Sequence, residues 1–197
     1  MSEAGTRFVL ADSEKCIGCR ACETACFAAH EKKNIRTAGA VTSPLIPNLF
    51  LVRTETLSMP VQCHHCEDAP CLRSCLTGAL FRREGAVLVN RSRCIGCRNC
   101  ALACPFGAIS IAPQNLLSPA AGAGPVFKCD LCAGTGRDSQ ACVETCPGKA
   151  LRVVDTAAEL EEKRRLAAES MGALALGAAA DPAARPAVQG VQGEGGK

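Results

Sequence analysis

The chain of 197 residues has no tryptophan and no tyrosine, and apart from three histidines its only aromatic rings are six phenylalanines. Without stacking platforms it lacks the surface on which single-stranded nucleic acids are held. Few large rings also leave little apolar core, and repeat units of about 75 residues are near the size where a core alone is marginal. No run approaches the roughly 18 apolar residues of a membrane span, and "ALALGAAA" (173–180) is too short. The start, "MSEAGTRFVLADSEKC", shows no basic region followed by an apolar stretch, and Arg82-Arg83 and Arg164-Arg165 lie far from a twin-arginine position. These absences predict a cytoplasmic chain, and they argue against disulfides, which need an oxidising compartment. No phosphate loop, activated nucleophile or paired carboxylates stand out, so no catalytic residue is expected.

Cysteine is what the chain has in excess. Sixteen of them fall into four groups of four: Cys16, Cys19, Cys22, Cys26; Cys63, Cys66, Cys71, Cys75; Cys94, Cys97, Cys100, Cys104; and Cys129, Cys132, Cys142, Cys146. The opening run "CIGCRACETAC" (16–26) returns as "CIGCRNCALAC" (94–104), an offset of 78 that also superimposes Val9 on Val87 and Leu10 on Leu88. The second group, "VQCHHCEDAPCLRSCLTGAL" (61–80), resembles "VFKCDLCAGTGRDSQACVETCPGKAL" (126–151). A duplicated array of this kind predicts two related modules.

Thiolates in a Cys-x-x-Cys loop converge on one concavity, and a third at the same spacing caps one corner of a cubane. Three such cysteines ending in a fourth after three residues form the bacterial ferredoxin run, whose last cysteine ligates the other cluster of a pair. Proline follows Cys104 and Cys146 as that run expects; Phe27 and Leu76 stand there in the other two groups. A zinc-stapled interaction module is the alternative, but closed zinc sites made of four cysteines use two separated pairs, not continuous triplets. Sixteen thiolates around four [4Fe–4S] cores of 2+ each would carry the formal +3 charge to about −5, which again speaks against nucleic acid.

Turn residues followed by apolar runs place strands at 7–11, 49–54, 79–82, 86–89, 108–112 and 150–154, with "REGA" (83–86) as a tight hairpin turn. "CFAAHEKKN" (26–34) reads as helix. "PQNLLSPAAGAGP" (113–125) reads as a flexible connector. A capping box, Thr156 with Glu159, starts a C-terminal helix over 156–178 with Ala157, Leu160, Ala167, Met171 and Leu174 toward one side. Residues 179–197 have the composition of a disordered tail. His64 and His65 sit among ligands in hydrogen-bonding roles. Lys15, Arg20, Arg93, Arg98 and Lys128 flank ligands and could offset cluster charge or be ordinary surface residues. "EEKRRLA" (161–167) reads as an exposed helical face.

With these groups the sequence resembles the four-cluster iron–sulfur subunits of molybdopterin oxidoreductases and related hydrogenase complexes, over residues 6 to 165. "RFVLADSEKCIGCRACETAC", "QCHHCEDAPC", "CPFGAI" and "KCDLC" are similar to the electron-transfer subunits and accessory proteins of formate dehydrogenase and formate hydrogenlyase. The resemblance implies an α+β fold of two interleaved ferredoxin-like modules. Residues 6–60 with 113–155 would form one module and residues 61–112 the other, followed by the C-terminal helix and tail. Spacing supports exchange of the last cysteine but leaves open which groups pair. The resemblance implies that Cys16, Cys19, Cys22 and Cys146 hold one cluster, and Cys26, Cys129, Cys132 and Cys142 its neighbour. Cys63, Cys66, Cys71 and Cys104 would hold a third, and Cys75, Cys94, Cys97 and Cys100 a fourth. It further implies a formate dehydrogenase-like catalytic molybdopterin subunit as partner, with hydrogenase or another redox subunit at the other end. The role would be that of a permanent electron-transfer subunit or of an accessory, maturation protein.

Overall fold

The computed structural model describes residues 5–31, 37–42, 44–111 and 126–175. The connector at 113–125 and the tail at 179–197 lie outside them, as do 32–34; the helix expected at 26–34 instead runs from Ala21 to His30 and ends before an extended Glu31. The fold is α+β, built from short helices and four two-stranded antiparallel sheets. The division falls at residue 157, and residues 158–197 form a separate unit.

Strand β1 (Arg7–Ala11) pairs with β8 (Leu151–Asp155), Arg7 opposite Asp155 and Ala11 opposite Leu151. Helix α1 (Ala21–His30) packs against α4 (Ala141–Thr145) beside this ribbon. Val9, Leu49 and Leu151 are buried there with Cys22, Cys26 and Cys142. Strands β2 (Phe50–Arg53) and β3 (Ser58–Val61) form a hairpin alongside.

A second ribbon is β4 (Leu80–Arg83) with β5 (Ala86–Val89). Its turn has Glu84 at φ 51° and Gly85 at φ 77°, both left-handed, as the tightest two-residue hairpin turns require. Helices α2 (Pro70–Arg73) and α3 (Asn99–Ala103) pack together over it. Leu80, Val87 and Ile109 are buried there with Cys71 and Cys100. Strand β6 (Ser110–Ile111) pairs with β7 (Val126–Phe127), which brings Val126 into this second core.

All six expected strands form. β3 and β7 were not anticipated, because β3 carries Pro60 and β7 is two residues long. The duplication is visible in the backbone: α1 and α3 each begin after an arginine in the left-handed region, Arg20 at φ 62° and Arg98 at φ 68°. Two of the scarce rings form one stack, with His64 between Phe8 and Phe106 at centroid distances of 5.0 and 4.2 Å. That stack joins the first ribbon to the loop after Cys104.

Helix α5 (Thr156–Ala175) starts where expected. Asp155 accepts from the Ala157 N–H at 3.1 Å, while the Thr156 hydroxyl accepts from the Thr6 N–H at 2.9 Å. Its residues through Gly172 are exposed, Leu160 and Met171 among them.

Candidate metal centres

Local backbone aims the thiols inward. Left-handed residues after the second cysteine of the first and third groups turn the chain into α1 and α3, each of which carries the third cysteine in its first turn. Cys26 then leaves α1 on the side facing α4 and lies in one core with Cys142 and Cys22.

Two of the sets implied by the resemblance each line one cavity: Cys16, Cys19, Cys22 and Cys146 under Leu51 and Pro60, and Cys75, Cys94, Cys97 and Cys100. Members of the other two sets lie near one another. Cys142 is electrostatically close to Cys26 and Cys132, and Cys129 to Cys142. Cys66 and Cys71 are each close to Cys63 and Cys104. Neighbouring sets also touch: Cys142 feels Cys22, Cys129 feels Cys63, and Cys71 feels Cys100. All sixteen thiols are free, and only Cys19 and Cys97 are exposed.

Burial pushes the Cys22 and Cys71 thiols up to about 11 and Cys142 up to about 12, and Cys129 is raised well above its ordinary value by the same cause. Such thiols stay protonated at neutral pH unless a cation displaces the proton, so ligation here releases protons. Backbone donors are already in place for the thiolates. Asn48 N–H reaches Cys26 Sγ at 3.4 Å, His65 N–H reaches Cys63 Sγ at 3.3 Å, and Ala150 N–H reaches Cys146 Sγ at 3.3 Å.

Two observations test whether these sets suit iron–sulfur clusters. Among the described residues no three Cys, His, Asp or Glu side chains gather closely enough for a single ion, yet four thiols line each of two pockets. Thiols spread in this way suit a polynuclear group better than a single zinc ion. His65 is fully buried, accepts from the Val87 N–H through Nδ1 at 3.0 Å, and leaves Nε2 buried without a partner among the described residues. With Nδ1 accepting, Nε2 carries the proton, and a sulfur-rich group would supply its missing acceptor.

The flanking cations separate into two kinds. Lys15 pairs with Asp12 at 2.7 Å in the open, and the exposed Arg20 reaches the buried Glu23 at 3.1 Å. Lys128 is buried at 2% exposure and donates to the carbonyls of Val87 and Cys129. Sequence reasoning missed further members. Glu23, on α1, is buried and accepts from the Leu51 N–H at 2.8 Å, fixing β2 to the helix. His30 donates to Asp130 at 2.8 Å and touches the Cys26 carbonyl at 2.8 Å. Burial alone would lower His30, but Asp130 and the Cys26 acceptors raise it to about 11. Its position four residues after Cys26 on a helix was the available signal.

A sequence profile for the 4Fe-4S dicluster domain matches residues 54–156. The chain is 39% identical over 157 residues to electron transport protein HydN of Escherichia coli (strain K12), covering 76% of this chain and 88% of that protein. It is 38% identical over 175 residues to formate hydrogenlyase subunit 2 of the same strain, covering 76% and 82%. With AegA of that strain, whose name carries the word oxidoreductase, it shares 41% identity over 167 residues and 81% of its own length, but spans only 24% of that protein. No helix among the described residues is long and apolar enough to cross a membrane.

Proposed function

Because the chain belongs to the 4Fe-4S dicluster family of iron–sulfur electron-transfer proteins, we propose that it relays single electrons through four [4Fe–4S] clusters between a catalytic subunit and a second redox partner. The catalytic subunit in this reading is a molybdenum or tungsten formate dehydrogenase, and the second partner is a hydrogenase or another redox subunit. The chain itself contributes no catalytic residue, and the reducing cytoplasm suits its sixteen free thiols.

The observation that carries this is the row of cysteine sets. Cys16, Cys19, Cys22 and Cys146 would hold the first cluster, and Cys26, Cys129, Cys132 and Cys142 the second. Cys63, Cys66, Cys71 and Cys104 would hold the third, and Cys75, Cys94, Cys97 and Cys100 the fourth. Cys22 lies by Cys142, Cys129 by Cys63 and Cys71 by Cys100, which supports that order. When bound, each cluster supplies one reversible one-electron couple. The protein's work is to fix the ligands, shield the inner two sets from water, and leave the row open at Cys19 and Cys97, its two exposed thiols. The formate partner is supported by the likeness to formate hydrogenlyase subunit 2.

Anaerobically prepared protein should carry about sixteen iron and sixteen sulfide per chain, four of each per cubane. Formate should reduce it only when the dehydrogenase is added. A stable preparation with two clusters, with zinc as its main metal, or reducible by hydrogen alone would overturn the corresponding part of the reading.

A further inference from the structure

A lysine ammonium inside a protein is costly unless an opposite charge compensates it. Lys128 is 2% exposed, and among the described residues its Nζ meets only two carbonyl oxygens, those of Val87 and Cys129. No carboxylate among the described residues pairs with it. Carbonyl dipoles satisfy its protons but leave the charge uncompensated. The same Val87 residue donates its N–H to His65, so the ammonium and the imidazole are pinned on either side of one residue. His65 brings a second unsatisfied donor, its buried Nε2.

The place of this pair is specific. Val87 packs with Cys71 and Cys100, and Cys129 packs with Cys63, so Lys128 stands where the second and third cysteine sets meet. Its charge acts on thiols of both sets, opposing the rise that burial causes at Cys129 and Cys71. It also ties two parts of the fold, since Val87 belongs to the β4–β5 ribbon and Cys129 lies near Cys142 of α4.

We infer that Lys128 is the internal counter-charge of the two middle clusters, and that with His65 it raises their reduction potentials above what the same ligands would give alone. The inference rests on the proposed four-cluster reading. The physical reason is burial: a charge screened by protein atoms acts far more strongly on a neighbouring anionic cluster than one in water. Reduction adds a negative charge beside the ammonium and is favoured by it. The exposed Lys15, paired with Asp12 beside Cys16, should do little by comparison. Electrons would therefore rest at the centre of the row, and the centre would not be the barrier.

The test is an EPR-monitored reductive titration of the loaded full chain, with iron and sulfide counted in every sample. At the ambient potential where the middle pair is half reduced in the wild type, Lys128→Met should lower its reduced-to-oxidised ratio at least tenfold, a shift of about 59 mV for a one-electron couple. The outer two signals should stay in place, and Lys128→Arg should restore most of the shift. Lys15→Gln should move no signal appreciably. Four clusters with unshifted potentials in Lys128→Met would overturn the inference while leaving the proposed function standing. An equal shift in Lys15→Gln would overturn it too, since burial would then not matter. Fewer than four clusters in the wild type would overturn both. If Lys128→Met fails to load, Lys128→Gln and Lys128→Arg decide. Loading by Arg alone supports a required charge, and failure of all three assigns the lysine a purely structural role.

Discussion

The two halves of the molecule carry the same ligand run but close it differently. The half around Cys71 and Cys100 folds on neighbours: β4 pairs with β5 across a two-residue turn, Leu80 opposite Val89. The half around Cys22 and Cys142 needs residues from opposite ends of the described chain, with Ala11 opposite Leu151 and α1 against α4. Lengthening the closed loop from nine residues to 140 costs about 2 kcal/mol more in chain entropy. Neither half has many large side chains to offset that. The difference implies that duplicated sequence does not mean equal independence. The locally closed half can keep some order by itself, while the other depends on whatever joins Cys26 to Cys129, Cys132 and Cys142.

The largest effect should come from removing iron. Chelation of the loaded protein should abolish cooperative unfolding and collapse the amide spectrum, because ligation energy is folding energy in a chain this poor in core. Any amide protection that survives should lie in the β4–β5 hairpin. A dispersed spectrum with a cooperative thermal transition in the apoprotein would remove the basis of the comparison.

Next come single ligands. Cys26→Ser should lose or alter the EPR signal of the cluster held by Cys129, Cys132 and Cys142, more than 100 residues away in sequence, and leave the cluster at Cys16, Cys19 and Cys22 near wild type. Cys146→Ser should do the reverse. Neither should disturb the two clusters assigned to Cys63, Cys66, Cys71, Cys104 and to Cys75, Cys94, Cys97, Cys100. If Cys26→Ser and Cys22→Ser abolish the same signal, the ligands are local and the halves close alike.

Much of this was legible in the sequence because spacing encodes it. The four cysteine groups, the six strands at their expected places, and the hairpin turn at Glu84 and Gly85 all depend on residues near one another in the chain. What was not legible depends on distant partners. Lys128 reads as one of several cations beside cysteines, and only the approach of Val87, 41 residues earlier, shows that it is buried. Glu23 reads as the wet side of a helix until the Leu51 N–H, 28 residues later, meets it.

A smaller effect should follow from cutting a tie of the distant-closing half. His30 holds Asp130 at 2.8 Å across 100 residues, with both side chains mostly out of water. His30→Phe should cost about 1–2 kcal/mol, a hydrogen bond to a charged group, read as faster loss of visible cluster absorbance in a fixed concentration of denaturant. The loss should begin in the α1–α4 half. Equal bleaching of all four clusters from the first time points would mean that the halves unfold as one.

The smallest effect tests where the halves touch. Gly85 at φ 77° closes the β4–β5 turn, and a Cβ there would lie 2.7 Å from the Gly5 carbonyl oxygen, just before β1. Gly107 at φ 61° is equally left-handed, but a Cβ there would meet nothing within 4 Å. Alanine at either position should cost about 1 kcal/mol for the backbone conformation. Gly85→Ala must also push the hairpin turn away from the start of β1, so it should exceed Gly107→Ala in the same denaturant assay. The excess measures the contact between the locally closed half and the distant-closing one. Equal losses would mean that this contact contributes nothing, and that the halves are held together through Lys128 and the Phe8–His64–Phe106 stack instead.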